Sequence, residues 1–174
     1  MMKNSTLDVL KQRRSCRSYL PKQITEEELL AVLEAGTYAP TAKGTQSPKM
    51  VVIQDEPTKA IIRKMNAEIM GVDSDTLYGA PTYVLVLADG DNKNGVQDAS
   101  LVMGNLMNAA YSIGLGSCWI NRAKEEMAMP EGQALLKKWG LTGNWVGVGI
   151  CILGYPAKAL KAPAPRKADY ILRV

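Results

Sequence analysis

An α+β or α/β sandwich around one central sheet is the fold class that this 174-residue chain predicts. Three observations carry it. Short apolar runs at Met50–Gln54, Thr82–Ala88, Gly116–Ile120 and Val146–Leu153 alternate with helix-patterned segments. Thr82–Ala88 is apolar almost without interruption, as a strand covered on both faces is. Val96–Ile113 repeats its apolar residues at three and four positions over a length that only a helix explains. The chain is long enough to bury a real core, and one domain over residues 1–174 is expected.

Each element has its own signal. Ser5 is placed to cap a first helix carrying Leu7, Val9 and Leu10. Thr25 and Glu28 form a capping box, with Ile24 and Leu29 as its hydrophobic staple, and Leu29, Leu30, Leu33 and Ala35 follow with Gly36 as the stop. Thr37–Pro48 is a loop of small and turn-forming residues, and Met50–Gln54 is a strand. Pro57 opens a helix towards Met70, and Ala80-Pro81 breaks the chain before the strand Thr82–Ala88.

The helix from Val96 carries Ala99, Met103, Leu106, Ala110 and Ile113 on one face, and Leu101, Val102 and Met107 make it apolar nearly all round. Such a helix belongs at the centre of a fold or in a subunit interface, and Gly114 can end it. Gly116–Ile120 is a short strand and Pro130–Trp139 a more polar helix. In Val146–Leu153, alternation places Val146, Val148, Ile150 and Ile152 on one face and Gly147 and Gly149 on the other, where another element approaches closely. The proline-rich tail from Tyr155 has no regular element before Tyr170–Val174.

Composition excludes several classes of function. The chain has no histidine, hence neither the commonest general base nor the commonest transition-metal ligand. Cys16, Cys118 and Cys151 are far apart and odd in number, which argues against a zinc site and a disulfide framework. There is no GxGxxG after a strand, no GxxxxGK[ST] and no nucleophile elbow. The net charge of +4 is mild and lacks the dense basic stripe with interleaved aromatics of a nucleic-acid binder. Met1–Asp8 holds no apolar signal region and no run is long enough to span a bilayer, so a cytoplasmic protein is expected. With so little catalytic apparatus of its own, the chain suits a borrowed organic cofactor.

Arg13-Arg14-Ser15-Cys16-Arg17-Ser18-Tyr19 places three guanidiniums and two serine hydroxyls within seven residues, a donor cluster suited to a phosphorylated ligand. On its own such a cluster is more often a solvated helix C-terminus that complements the macrodipole. The chain continues, however, with Glu34-Ala35-Gly36-Thr37-Tyr38-Ala39-Pro40-Thr41, Tyr78-Gly79-Ala80-Pro81, Gly114-Leu115-Gly116-Ser117-Cys118-Trp119-Ile120, Ile152-Leu153-Gly154-Tyr155-Pro156 and Pro163-Ala164-Pro165-Arg166-Lys167. In this order the blocks resemble the FMN-dependent nitroreductase family over nearly the whole chain.

The resemblance implies an α+β sandwich with a central mixed sheet flanked by helices, intertwined with a second copy as an obligate homodimer that binds two FMN molecules at the subunit interface. Arg13 and Ser15 match positions that hold the FMN phosphate, and Arg14 a neighbouring ribityl or phosphate contact. Arg17 matches the basic position near the flavin N1–O2 edge, where a fixed cation favours the reduced anion. Arg166 and Lys167 match a basic pair closing on the phosphate. Pro40, Thr41, Ala42 and Gln46 match a loop that approaches the ring from the other subunit, and Cys118, Trp119 and Ile120 a strand end whose backbone lines it. Gly44 stands where many members carry Asn, and Lys43 adds charge favouring anionic substrates or NADPH.

The implied activity is ping-pong reduction of a small-molecule electron acceptor, a nitroaromatic or quinone, with NADH or NADPH as donor. Dehalogenation or another reductive reaction, and non-catalytic flavin binding or redox sensing, are the alternatives. Cys118 and Trp119 also read simply as packing residues, Thr41 and Gln46 as loop-satisfying ones, and Tyr38 and Tyr78 as core or interface residues.

Overall fold

The computed structural model describes residues 3–174; Met1 and Met2 of the expected domain lie outside the described residues. The elements in chain order are α1 (Ser5–Gln12), α2 (Glu26–Thr37), β1 (Lys49–Ile53), α3 (Glu56–Met70), β2 (Thr82–Asp89), α4 (Gly95–Ser112), β3 (Gly116–Ile120), α5 (Ala123–Ala128), α6 (Pro130–Lys138) and β4 (Trp145–Gly154). The four strands form one sheet in the order β1-β2-β4-β3. Helices flank it on both faces, which is the α+β sandwich the sequence predicts.

Within one chain the expected mixed sheet is antiparallel along its four strands, with its parallel component outside them. All three neighbouring pairs are antiparallel, with Val51 opposite Leu85, Val84 opposite Cys151 and Cys118 opposite Ile152. α4 carries the chain from β2 to β3 across a one-strand gap, and β4 fills that gap in the opposite direction. Parallel pairing is confined, among the described residues, to a single bridge between Ser15 and Ser117.

Two cores sit on the two faces of the sheet. Ile62, Met65 and Leu77 pack with Leu85, Leu87, Ile150 and Ile152 under α3, α5 and α6. Leu29, Val32, Met103 and Leu106 pack with Val84, Val86, Cys151 and Leu153 under α2 and α4. The uninterrupted β2 faces both and is buried from Thr82 to Ala88.

Local signals were honoured where they were complete. The Thr25–Glu28 capping box forms in both directions, with Ile24 and Leu29 both buried beside it. α4 ends on Gly114 at φ 86°, with Leu115 N–H donating to Ala110 O (2.8 Å) and Gly114 N–H to Tyr111 O (3.1 Å), as in a Schellman motif.

Other expectations change. Asn4, not Ser5, caps α1, its Oδ1 accepting from Leu7 N–H. Gly36 does not stop α2, which continues to Thr37; a Cβ there would stand 2.9 Å from both Leu106 Cδ2 and Met50 Sδ, so the glycine permits close helix packing instead. A β-bulge breaks the alternation of β4: Val86 pairs with Gly149 but Leu87 with Gly147, leaving Val148 extra. Val146 and Val148 therefore pack with Cys151 and Leu153, away from Ile150 and Ile152. The expected close approaches are present. A Cβ on Gly147 would lie 2.0 Å from Ala123 O, and one on Gly149 2.4 Å from Trp119 Nε1. Tyr170–Val174 is exposed and irregular.

One face of α4 is buried through Val102, Met103, Leu106 and Ala110, while Val96 and Leu101 remain 50% and 48% exposed. No helix among the described residues is long and apolar enough to cross a membrane.

Candidate functional site

The arginine segment is an extended arm laid against the sheet. α1 closes on Arg13, whose N–H donates to Val9 O, and ψ there swings to 134°, so the chain leaves the helix extended. Cys16 N–H then donates to Ser117 O (2.8 Å), Leu20 N–H to Tyr155 O (2.9 Å) and Ala157 N–H to Ser18 O (2.9 Å). The arm is thus stitched to the ends of β3 and β4. Gly116 allows this approach, because a Cβ there would stand 2.8 Å from the Cys16 side chain. Alternate residues of an extended segment face opposite ways. Cys16 is accordingly buried, and Ser15 and Arg17 are exposed.

Among the described residues, no acid neutralises the cations of this arm. The ion pairs among the described residues, Lys59–Glu56 (3.0 Å) and Arg63–Glu56, both belong to α3. Arg14 donates to the carbonyls of Arg13 and Lys11, yet its Nε is buried without a hydrogen-bond partner among the described residues, and so is Arg13 Nη1. A buried, unpaired guanidinium N–H is costly unless a ligand supplies its acceptor. A phosphate dianion has the acceptor number and charge to do so.

Two cavities receive these groups. One of about 550 Å³ is lined by Leu10, Lys11, Arg13, Arg14 and the tail from Pro163 to Arg166. A second, of about 500 Å³, lies between Arg14–Ser18 and Lys158–Lys161. Arg166 thus shares a wall with Arg13 and Arg14, although it is exposed and its Nε and Nη2 both donate to Ala164 O (3.1 and 2.6 Å). Lys167 is exposed further along the tail. Lys158 and Lys161 were missed in the sequence, where they are scattered lysines in a Pro/Ala-rich stretch.

The Pro40–Gln46 loop is built separately. Asp98 Oδ1, at the start of α4, accepts from Ala42 N–H (3.0 Å), and Asn92 Nδ2 donates to Ser47 Oγ (3.0 Å). Thr41 Oγ1 accepts from Gln46 N–H (3.0 Å), the loop-satisfying role. Lys43 and Gln46 adopt left-handed φ values of 58° and 50°, unusual for side-chain-bearing residues. Thr41 and Gln46 line a cavity of about 130 Å³ whose walls contain no arginine. Within one chain, therefore, this loop and the arginine arm serve different cavities.

On β3, Cys118 and Ile120 are buried in the core, and Trp119 is partly buried with its indole over Gly149. Burial pushes the Cys151 thiol far above its ordinary pKa. Neither Tyr38 nor Tyr78 is a core residue, being 78% and 39% exposed. The Arg17 guanidinium lies 6.0 Å from the Tyr78 ring centroid, a weak cation–π contact.

A family model described as "Nitroreductase family" matches residues 10–155. A protein of Archaeoglobus fulgidus provisionally named an NADH dehydrogenase/NAD(P)H nitroreductase is 30% identical over 155 residues, covering 86% of this chain and 84% of its own. A Bacillus subtilis protein named an NAD(P)H FMN reductase is 24% identical over 189 residues, covering 95% of this chain and 72% of its own. Among solved structures, a nitroreductase of Bacteroides fragilis with bound FMN superposes with a TM-score of 0.89 at 30% identity, over 99% of this chain and all of that one (100%).

Proposed function

The chain belongs to the nitroreductase family, and we propose that, as a member, it is an FMN-dependent NAD(P)H oxidoreductase that reduces nitroaromatic or quinone-type acceptors by a ping-pong route. The observation that carries the flavin assignment is the pair of buried donors without a partner among the described residues, Arg13 Nη1 and Arg14 Nε. The relatives named above support it. When bound, FMN supplies reversible hydride transfer at N5, so donor and acceptor take turns in one site.

The chain's own residues bind, orient and tune. Arg13 and Ser15 would hold the phosphate, with Arg14 beside them, and Arg166 and Lys167 would add positive charge from the tail. Arg17, unpaired with any acid among the described residues, stabilises negative charge at the N1–O2 edge. The backbone of Cys118, Trp119 and Ile120 lines the ring.

The protein acts as a cytoplasmic homodimer of 1–174 domains with FMN at the interface. The half-exposed Val96 and Leu101 of α4 support an apolar interface there. The separation of the Pro40–Gln46 loop from the arginine arm within one chain supports its service to the partner's flavin, with Pro40, Thr41, Ala42 and Gln46 at the ring.

The test is the visible spectrum of purified protein before and after anaerobic addition of NADH or NADPH. Flavin bands that bleach bear the assignment out, and bands that persist favour a non-catalytic flavoprotein. Colourless protein that takes up no added FMN overturns it.

A further inference from the structure

The reaction proposed above makes no use of a polar cluster centred on the fully buried Asn66 of α3. Its amide makes five hydrogen bonds. Oδ1 accepts from Thr76 Oγ1 (2.6 Å), Arg122 Nε (3.2 Å) and Arg122 Nη2 (3.0 Å), while Nδ2 donates to Asn121 O (3.2 Å) and Glu126 Oε1. These partners come from three places, one of them α5, which carries Glu126. Asn121 and Arg122 form the turn between β3 and α5, directly after the Cys118–Ile120 strand end. Thr76 belongs to the loop that leads to Tyr78, whose ring neighbours Arg17.

The turn and the loop each contain a side-chain-bearing residue at positive φ, Arg122 at 79° and Tyr78 at 57°. The other two such residues among the described ones, Lys43 and Gln46, lie in the loop assigned to the flavin ring. Left-handed backbone at such residues persists only where its surroundings over-determine it. The Tyr78 loop is so determined: Asp75 Oδ1 accepts from Leu77 N–H (2.8 Å), Oδ2 accepts from Gly79 N–H (2.7 Å), and Leu77 is fully buried. At Arg122 the two guanidinium bonds to Asn66 do the same work from inside the core.

We infer that Asn66 is a positioning residue for the flavin cleft, its buried amide fixing the turn after β3 and the Tyr78 loop in one relation to each other. This rests on the flavin assignment made above. The amide suits the task because it offers donors and acceptors at once. Backbone, hydroxyl, guanidinium and carboxylate all meet on one side chain. Its loss would free the strand end under the ring and the loop beside Arg17 together.

The test separates positioning from mere stability. Thr76→Val removes only the loop's bond to Asn66, Thr76→Ser restores it, and Asn66→Ala removes the hub. Each variant is assayed for bound FMN, the anaerobic rate of flavin reduction by NADH or NADPH per bound flavin, and the visible-region circular dichroism of the flavin. Thr76→Val is expected to retain FMN, change the dichroism and slow reduction roughly three- to tenfold, the worth of one hydrogen bond. Thr76→Ser is expected to match wild type. Wild-type dichroism and reduction rate in FMN-loaded Thr76→Val would overturn the inference, whatever the melting temperature. Should Asn66→Ala fail to fold, Thr76→Val decides alone. Wild-type protein that takes up no FMN instead overturns the flavin assignment itself, and this inference with it.

Discussion

Two partly buried polar clusters in this molecule are built on opposite plans. Around Asn66, amide, hydroxyl, guanidinium and backbone groups fill one another's hydrogen-bonding capacity, and among the described residues only Glu126 Oε2 is left over. Along the arginine arm, Arg13 Nη1 and Arg14 Nε are buried and unfilled, beside a cavity whose lining contains no acid. A closed cluster is framework; an open one of uniform sign waits for a ligand of the other sign. The contrast supports the proposed cofactor site more sharply than the count of arginines does.

The contrast breaks first at Arg13. Arg13→Ala is expected to weaken FMN binding by roughly 30- to 150-fold, about 2–3 kcal/mol for a charged hydrogen bond, with little change in melting temperature. Fluorescence titration of apoprotein with FMN measures it. An unfolded variant with intact affinity per folded molecule would make the arm framework too.

At the closed cluster the expected response is to pH. Desolvation pushes the Glu126 carboxyl up to about 7, against the ordinary 4.5, although Asn66 and Arg122 pull the other way. Between those values the folded protein holds a proton that the unfolded chain has released. The stability this group contributes is therefore complete below about pH 4.5 and is lost as pH rises through about 7. Glu126→Gln keeps an acceptor for Asn66 and removes the titration. Denaturant melts should show wild type losing on the order of 2 kcal/mol relative to the variant between pH 4.5 and pH 8. Glu28, Asp55 and Glu56, whose hydrogen bonds hold them below their ordinary values, act in the opposite direction and cancel in that comparison.

Smaller effects sharpen the boundary between the plans. Gly116→Ala drives a methyl against Cys16 and should shift the arm, costing ~1–2 kcal/mol in stability with some loss of FMN affinity. Arg166→Ala, on an exposed tail, should weaken FMN binding only about two- to fivefold, an effect that fades as salt is raised. A Kd measured at two salt concentrations checks it.

What the sequence revealed followed range. The Thr25–Glu28 box, the Gly114 stop and the arginine cluster are each complete within a few residues, and each was legible. α5 was not: it is a six-residue helix entered through a left-handed arginine, too short for a period to emerge. The β4 faces were misread because a bulge is set by pairing with β2, not by β4's own alternation. Asn66 gave no signal, since a lone asparagine on a helix reads as solvated, and its partners at Asn121, Arg122 and Glu126 lie 55 to 60 residues away.

The burial of all three thiols has a chemical consequence. Quinones and partly reduced nitro compounds arylate or oxidise accessible thiolates, so a catalyst that handles them is exposed to attack by its own substrates. Here Cys16 and Cys118 are each 2% exposed, Cys151 is sealed and held protonated by its burial, and no imidazole exists anywhere in the chain. The soft nucleophiles are stored inside, and at the proposed site an electrophilic acceptor would meet guanidinium, hydroxyl and backbone instead. For the proposed acceptors, the packing would thus supply durability against the protein's own substrates.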